Sequence, residues 1–339
     1  LNGVGASSIS LGNGLHHNRV YLGHAEGGGE GLLWDALLRD NTPLPLLKAL
    51  PPDTVLATRI PLRGERVWAW IRKVVPDLGS KRAKLGFEDW LAHTQRAGID
   101  VDKWVASLGD GVGVVLTLSP RRERAAAPED DPEESLVDLA GRASLAILVE
   151  VKDDTIFAAM EAILAKRNAP FRRHDFGEIR ALVMQGEQPA PGQGPLAIAR
   201  FGKYLAFVSN DRILKRLSEN KGGLTETPEF KRLAARLPQE GMGFSFLSAR
   251  LGNELHEGMV RMMRYQGGEP LVMTISELIL HSSAQFKGQA FYAVTVRTKD
   301  GALAMNTGTV GLGEAAVGKT LIGPLAMAAP TWGIRIRNA

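Results

Sequence analysis

The chain carries one phrase twice. Residues 42–53 run Thr-Pro-Leu-Pro-Leu-Leu-Lys-Ala-Leu-Pro-Pro-Asp, a short helix that stops at a Leu-Pro pair and opens a strand. Residues 227–240 run Thr-Pro-Glu-Phe-Lys-Arg-Leu-Ala-Ala-Arg-Leu-Pro-Gln-Glu and read the same way. The Leu-Pro pairs start at 50 and 237, which is 187 residues apart. Solenoid units span only about 20–50 residues, so a spacing this long belongs to a duplicated domain. The flanks agree in order, type and spacing, though little in residue identity. Strand-like runs at 15–22 and 197–208 come first, then short helices at 32–38 and 213–217. After the phrase, strands open at 54–57 and 243–246, followed by helices at 66–71 and 255–263.

At 339 residues the chain is long enough for two domains with a sizeable core. Hydrophobic content of 44% and charged content of 23% are those of a globular protein. The net charge of +4 is spread out, and Arg121, Arg122 and Arg124 are followed at once by Glu129, Asp130, Asp131, Glu133 and Glu134. That is a mixed-charge loop. No basic run is interleaved with aromatics, which argues against nucleic acid as a partner. There is no cysteine, which excludes disulfides, thiolate metal sites and cysteine nucleophiles. The chain opens on Leu1 without a signal peptide, and the first module lacks a counterpart to a strand–helix unit at 145–165. The expectation is a mature or trimmed chain.

Four segments follow. Residues 1–119 form a first module, 120–139 a charged, Pro-containing linker or loop, 140–312 a second module, and 313–339 an apolar C-terminal segment. In the first module Asp100 caps a helix, Gly109 is placed to end it with a positive φ, and 112–118 is a β-branched strand. In the second, 143–151 reads as a buried strand, Asp153 or Asp154 caps a helix over 155–166, and 179–183 is a strand. A hairpin turns at Gly202-Lys203, Asn210 or Asp211 caps the next helix, and Thr227 caps another with Pro228 at its first position. A closing hairpin, 290–296 with 302–310, is expected to turn at Asp300-Gly301. Hairpins mixed with helices, without regular β-α alternation, predict α+β: two related modules with largely antiparallel sheets and packed helices.

Three stretches resemble an uncharacterised domain of exported bacterial proteins: residues 98–118, the run Val149-Glu150-Val151-Lys152-Asp153, and the stretch from the 198–208 hairpin through Leu237-Pro238. The resemblance covers most of the chain. It implies a periplasmic or extracellular place in the bacterial cell envelope and this architecture. It attaches no catalytic residues. Residues 321–330 are apolar, contain Pro324, and are followed by Arg335 and Arg337. That tail loosely resembles the hydrophobic, Pro-containing helix of pilin-like proteins, and 321–334 is a candidate membrane contact. A confident span needs about 20 apolar residues. A terminal element packed on the second module is the alternative.

Gly313-Glu314-Ala315-Ala316-Val317-Gly318-Lys319-Thr320 satisfies the phosphate-loop pattern. There, backbone N–H groups wrap phosphate, the Lys reaches its outer oxygens and the hydroxyl holds Mg²⁺. Pro324 then falls where the phosphate-binding helix should continue, and only 19 residues follow Thr320. His16, His17 and His24 lie near Glu26 and Glu30, all Zn²⁺-ligand types, but adjacent strand residues point to opposite faces. The glycines at 27–29 and 31 read as a flexible loop that could instead hold an anion. His93, His174, His256 and His281 stand singly. Ser119, Ser209 and Ser245 lie at strand ends, outside any nucleophile-elbow motif. Asp153-Asp154 reads as a cap and Glu129-Asp130-Asp131 as a solvated loop. Trp68, Trp70, Trp90 and Trp104 read as core, or as the lining of a small-ligand groove.

No constellation converges on catalysis, so no catalytic, cofactor-binding or metal-binding residue is assigned. The expected function is a non-catalytic interaction or assembly protein, with partners in an envelope assembly or a homo-oligomer. Nucleotide binding through Lys319 and small-ligand binding are the alternatives.

Overall fold

The computed structural model describes residues 3–24, 32–78, 81–120, 139, 141–186, 194–219, 223–265, 284 and 286–312. Its organising element is a 12-stranded sheet in which every neighbouring pair is antiparallel. The chain enters through β1 (Gly3–Gly12) and β2 (Leu15–Gly23), then α1 (Leu32–Leu37), β3 (Thr42–Pro43), α2 (Pro45–Ala49) and β4 (Thr54–Pro61). Helices α3 (Gly64–Leu78), α4 (Lys81–Arg96) and α5 (Val101–Ser107) lead to β5 (Leu108–Leu118). Next come β6 (Ala143–Val151), α6 (Thr155–Lys166), β7 (Phe171–Arg173), β8 (Arg180–Met184), β9 (Ala197–Phe201) and β10 (Tyr204–Val208). The last part comprises α7 (Arg212–Glu219), a 3₁₀ turn (Leu224–Glu226), α8 (Pro228–Ala234), β11 (Glu240–Gly241), β12 (Gly243–Leu247), α9 (Ala249–Tyr265), β13 (Phe291–Thr298) and β14 (Gly301–Gly308).

The strand order is β1-β2-β14-β13-β12-β4-β5-β6-β10-β9-β8-β7. Outward from the central β12/β4 pair it reads β4, β5, β6, β10, β9 on one side and β12, β13, β14, β2, β1 on the other. Strands from both sides of residues 120–139 therefore share one sheet. The two copies of the sequence phrase also meet, because Thr42 and Pro43 of β3 pair with Gly241 and Glu240 of β11.

Helix ends follow the caps in the sequence. Asp100 accepts the Lys103 N–H at 3.1 Å, and Thr227 accepts the Phe230 N–H at 3.3 Å beside Pro228 at the first helical turn. The two aspartates before α6 divide the work. Asp153 accepts the Thr155 N–H at 2.9 Å, while Asp154 caps nothing and binds Arg180 and Arg200. Asn210 accepts the Arg212 N–H at 2.9 Å. Two expectations need correction. Gly109 lies inside β5 without a positive φ, and the closing hairpin turns at Lys299-Asp300, so Gly301 opens β14.

The main core lies on one face of the sheet. Leu46, Leu47 and Leu50 after β3, Ile213 and Leu214 of α7, and Phe230 and Leu233 of α8 join it from the helices. Ala57, Ala181, Ala199 and Ala206 are fully buried on the strands. Small residues on the sheet leave room for large ones on the helices, which fills the layer at interior density. A second cluster (Ile156 and Phe157 of α6 with Val151, Leu182 and Leu205) sits apart from it.

A buried ion pair crosses β5. Arg59 of β4 donates from Nε to Glu150 Oε1 of β6 at 2.7 Å and from Nη1 to the Met242 carbonyl at 2.5 Å. Lys203 adds a contact to Glu150 at 3.1 Å. The close approach needs glycine between them. A Cβ at Gly109 would lie 2.8 Å from Glu150 Cβ, and one at Gly111 would lie 3.0 Å from Arg59 Nε. Burial pushes the Glu150 carboxyl up, but the hydrogen bond and charge of Arg59, joined by Lys203, hold it below its ordinary value.

Glu150→Ala leaves a buried guanidinium without its carboxylate, and urea unfolding should record a loss of about 3–5 kcal/mol. Arg59→Met with Glu150→Leu removes both charges and should cost far less. A lowered carboxylate pKa stabilises the fold above the unfolded value, about 4.3, and that support goes as pH falls through the folded pKa. The wild type should therefore lose stability on acidification more steeply than the paired variant.

Candidate functional site

The two ends of the sheet are built differently. At one end β7 is three residues long, and two of them, Arg172 and Arg173, are exposed arginines. A short, charged edge is a poor template for another strand. At the other end β1 has ten residues and pairs only with β2 among the described residues. From Gly3 to Gly12 it contains no Lys, Arg, Asp, Glu or Pro. Every residue but Leu11 is exposed, with Val4 and Ile9 at 67% and 58%. Among the described residues its outward N–H and C=O groups have no strand partner.

That edge is rigidly seated. The β1–β2 turn holds Gly12, Asn13 and Gly14 at φ of 76°, 54° and 70°, a left-handed run that glycine and asparagine tolerate best. Beneath it lies Asn18, 2% exposed, with its amide fully used. Nδ2 donates to Asn306 Oδ1 at 2.8 Å and to the Val310 carbonyl at 2.9 Å. Oδ1 accepts from Ser8 Oγ at 2.6 Å and from the Leu312 N–H at 3.2 Å. The network ties β1, β2 and the stretch after β14 into one unit.

A cavity of about 450 Å³ lies elsewhere, at the end of β5. Leu50, Pro51, Pro52, Asp53, Arg216 and Arg250 contribute to its wall. Arg216 donates to Asp53 Oδ2 and to Ser119 Oγ. Arg250 donates to the Ser119 carbonyl at 2.8 Å, and Arg142 pairs with Glu254 through both Nη atoms at 2.7 and 3.1 Å. Burial pushes the Asp53 carboxyl up against the opposing pull of Arg216, and its Oδ1 is buried without a partner. These guanidinium groups are engaged with protein acceptors, so the knot works as a clamp on the chain leaving β5.

The residues singled out in the sequence are not brought together. His16 and His17 take opposite sides of β2. His17 is buried, its Nε2 accepts from Arg19 Nε at 3.1 Å, and its Nδ1 lies 3.4 Å from Thr307 Oγ1. Burial, then the charges of Arg19 and Arg236, lower its pKa. His24 packs edge-on against Trp34 at 5.3 Å. Among the described residues no three His, Cys, Asp or Glu side chains are grouped to hold a metal. His174 meets Phe176 edge-on, His93 sits in the last turn of α4, and His256 lies in α9. Ser209 Oγ accepts the Leu145 N–H, and Ser245 Oγ meets Thr58 Oγ1. Trp68, Phe87 and Trp90 form a cluster with ring centroids 5.9–6.3 Å apart. Trp104 packs on the second core and Trp70 is 40% exposed, so no tryptophan-lined groove unites the four.

Glu26, Glu30, the 27–31 glycines, residues 129–131, His281, the phosphate-loop pattern at 313–320 and the tail at 321–334 lie outside the described residues. The strand before that pattern, β14, has antiparallel neighbours on both sides, whereas a phosphate loop follows a strand of a parallel β-α-β unit. No helix among the described residues is long and apolar enough to cross a membrane. The β1 edge was overlooked in the sequence, where Gly12-Asn13-Gly14 was its available signal. The Asn18 network had none.

Arg216→Met should cost about 2 kcal/mol at neutral pH, since Asp53 would be left buried without its cation. A carboxylate pKa raised in the fold favours stability below the unfolded value and opposes it as pH rises through the folded one. The loss should therefore shrink in acid, and Asp53→Asn added to Arg216→Met should remove its pH dependence in a urea titration.

The comparisons with known proteins return no match: no family model, no curated protein and no solved structure.

Proposed function

We propose that this protein is a non-catalytic interaction or assembly component of the bacterial envelope, periplasmic or extracellular, built from two related modules. The observation that carries the reading is the β1 edge: long, uncharged, exposed and firmly seated. Unpaired strand edges recruit further strands, and natural proteins usually block those they do not use. Here the β7 edge is short and charged, and the β1 edge carries no charge or proline and has no further strand among the described residues.

The order of strands supports the two modules. A turn about the β12/β4 pair takes β4 to β12, β5 to β13, β6 to β14, β10 to β2 and β9 to β1. Taken as β1-β2-β4-β5-β6 and β9-β10-β12-β13-β14, the matched strands keep one order along the chain, with α2 and α8 in matching places before β4 and β12; this division puts the 143–151 strand in the first repeat instead of in the 140–312 module. On this reading β1 occupies the place of β9. Beyond β9 the sheet continues into β8 and β7, while beyond β1 no described strand follows. The open side is thus a position that the other module fills. The envelope location rests on the resemblance of the 98–118, 149–153 and 198–238 stretches to exported bacterial proteins, and residues 321–334 are the proposed membrane contact.

The test is the size and location of the native protein in cells. It should fractionate with the envelope in an assembly well above the 36.6 kDa of one chain. Ser7→Lys with Ile9→Lys, which charges the edge, should dissolve that assembly and leave the unfolding transition in place. A wild-type protein running as a single chain in a native extract would overturn the reading.

A further inference from the structure

We infer that the strand added at β1 is β1 of a second copy of this chain, paired antiparallel about a two-fold axis through Ser7. The inference rests on the interaction reading above and names its partner. In an antiparallel ladder, residues that face each other both point their N–H and C=O groups inward or both outward. Two copies of one strand can therefore pair only with a residue opposite its own copy. Centring on Ser7 uses β1 from Val4 to Ser10, inside the stretch that pairs regularly with β2, and leaves out Leu11 and Gly12, where that register shifts and Gly12 holds a positive φ.

This register suits the side chains. Val4 faces Ser10 of the second copy, Gly5 faces Ile9, and Ala6 faces Ser8. Each large residue meets a small one, on either face of the sheet. No charge opposes its own image, since the strand carries none. A two-fold contact of this kind uses the same patch on both chains and closes at two copies. It also removes the open edge from both at once. The other end of the sheet is a poor competitor, because β7 is three residues long and pairing it about its middle would set exposed Arg172 against its own copy. Strand pairing alone stays under the roughly 1,000 Å² typical of tight interfaces, so the dimer should be concentration-dependent.

The chain contains no cysteine, which makes the register directly readable. In the intact protein Ser7→Cys places two thiols on the axis with Cα atoms about 4.5–5.5 Å apart, within disulfide reach. Ile9→Cys places them four residues apart along the strand, about 13 Å, which is out of reach. Mild oxidation should link Ser7→Cys into a dimer at least ten times faster than Ile9→Cys. Analytical ultracentrifugation of the wild type should show a monomer–dimer equilibrium that Ser7→Lys weakens at least tenfold, with the urea midpoint unchanged. Equal cross-linking at both positions, or a wild type monomeric at every concentration, would overturn the inference. If the wild type is monomeric but the native assembly still dissolves when β1 is charged, the edge serves a different protein and only the self-pairing falls. If neither dimer nor assembly is found, both readings fall together.

Discussion

Everything in this fold hangs on the pairing of β4 with β12. Arg59, Thr58, Ala57 and Leu56 face Phe244, Ser245, Phe246 and Leu247, and the Thr58 hydroxyl adds contacts to Ser245 Oγ at 3.0 Å and the Phe244 carbonyl at 3.2 Å. The partners lie about 185 residues apart, and closing a loop that long costs about 5 kcal/mol in chain entropy. The ladder alone does not offset that. The cores beside it do, since Ala57, Phe244 and Phe246 belong to the same buried cluster as Leu46, Leu50 and Phe230. The long-range contact thus comes with two short-range units that are already half formed, β4 with β5 and β12 with β13. Local hairpins and helix caps lower the entropy left to be lost when the halves meet.

The same logic explains which parts could be read from the sequence. Elements fixed by local chemistry were legible. The run from Ala143 to Val151 is a strand at the expected bounds, and Asp100, Asn210 and Thr227 accept N–H groups at the starts of the helices they were expected to cap. Elements fixed by distant partners were not. Gly109 looked like a helix terminator because glycine ends helices, but its place is set by Glu150, on a strand more than forty residues later. β1 is Ser- and Gly-rich and has no hydrophobic alternation, so only its turn and its partner β2 make it a strand. Asn18 is an ordinary polar residue until β14 and the Val310–Leu312 stretch supply its four hydrogen bonds. The tryptophans looked like one group by count, yet their helices carry them to separate surroundings.

Charge is placed with the same economy. The interior holds Arg59 and Glu150, each below 10% exposed, where a lone ion would be costly. Their strands flank β5, and the glycines of β5 let the two side chains meet across it. The Arg142, Arg216 and Arg250 knot does the equivalent at the strand end, where Ser119 turns the chain away from the sheet. Fixed charges inside a sheet pin its register, because a slip of one residue would turn Arg59 to the opposite face and separate it from Glu150. These sites therefore act on architecture, and the chemistry of the surface is left to the edges.

At the edges the two halves of the sheet part company. If the halves share an ancestor, β9 and β1 descend from one strand, and their present differences are informative. β9 lies between β10 and β8, and Ala197 and Ala199 on it are buried. β1 has no strand beyond it among the described residues, and its large side chains are Val4, Ile9 and Leu11 among Gly, Ala and Ser. A strand exposed merely by loss of its neighbour would be expected to gain charge or proline, as edges do when they must stay single. β1 carries neither, and the Asn18 amide ties it to β2 by accepting from Ser8 Oγ. A strand edge that is exposed, neutral and built of small residues lacks the charge and proline by which edges resist the addition of another strand.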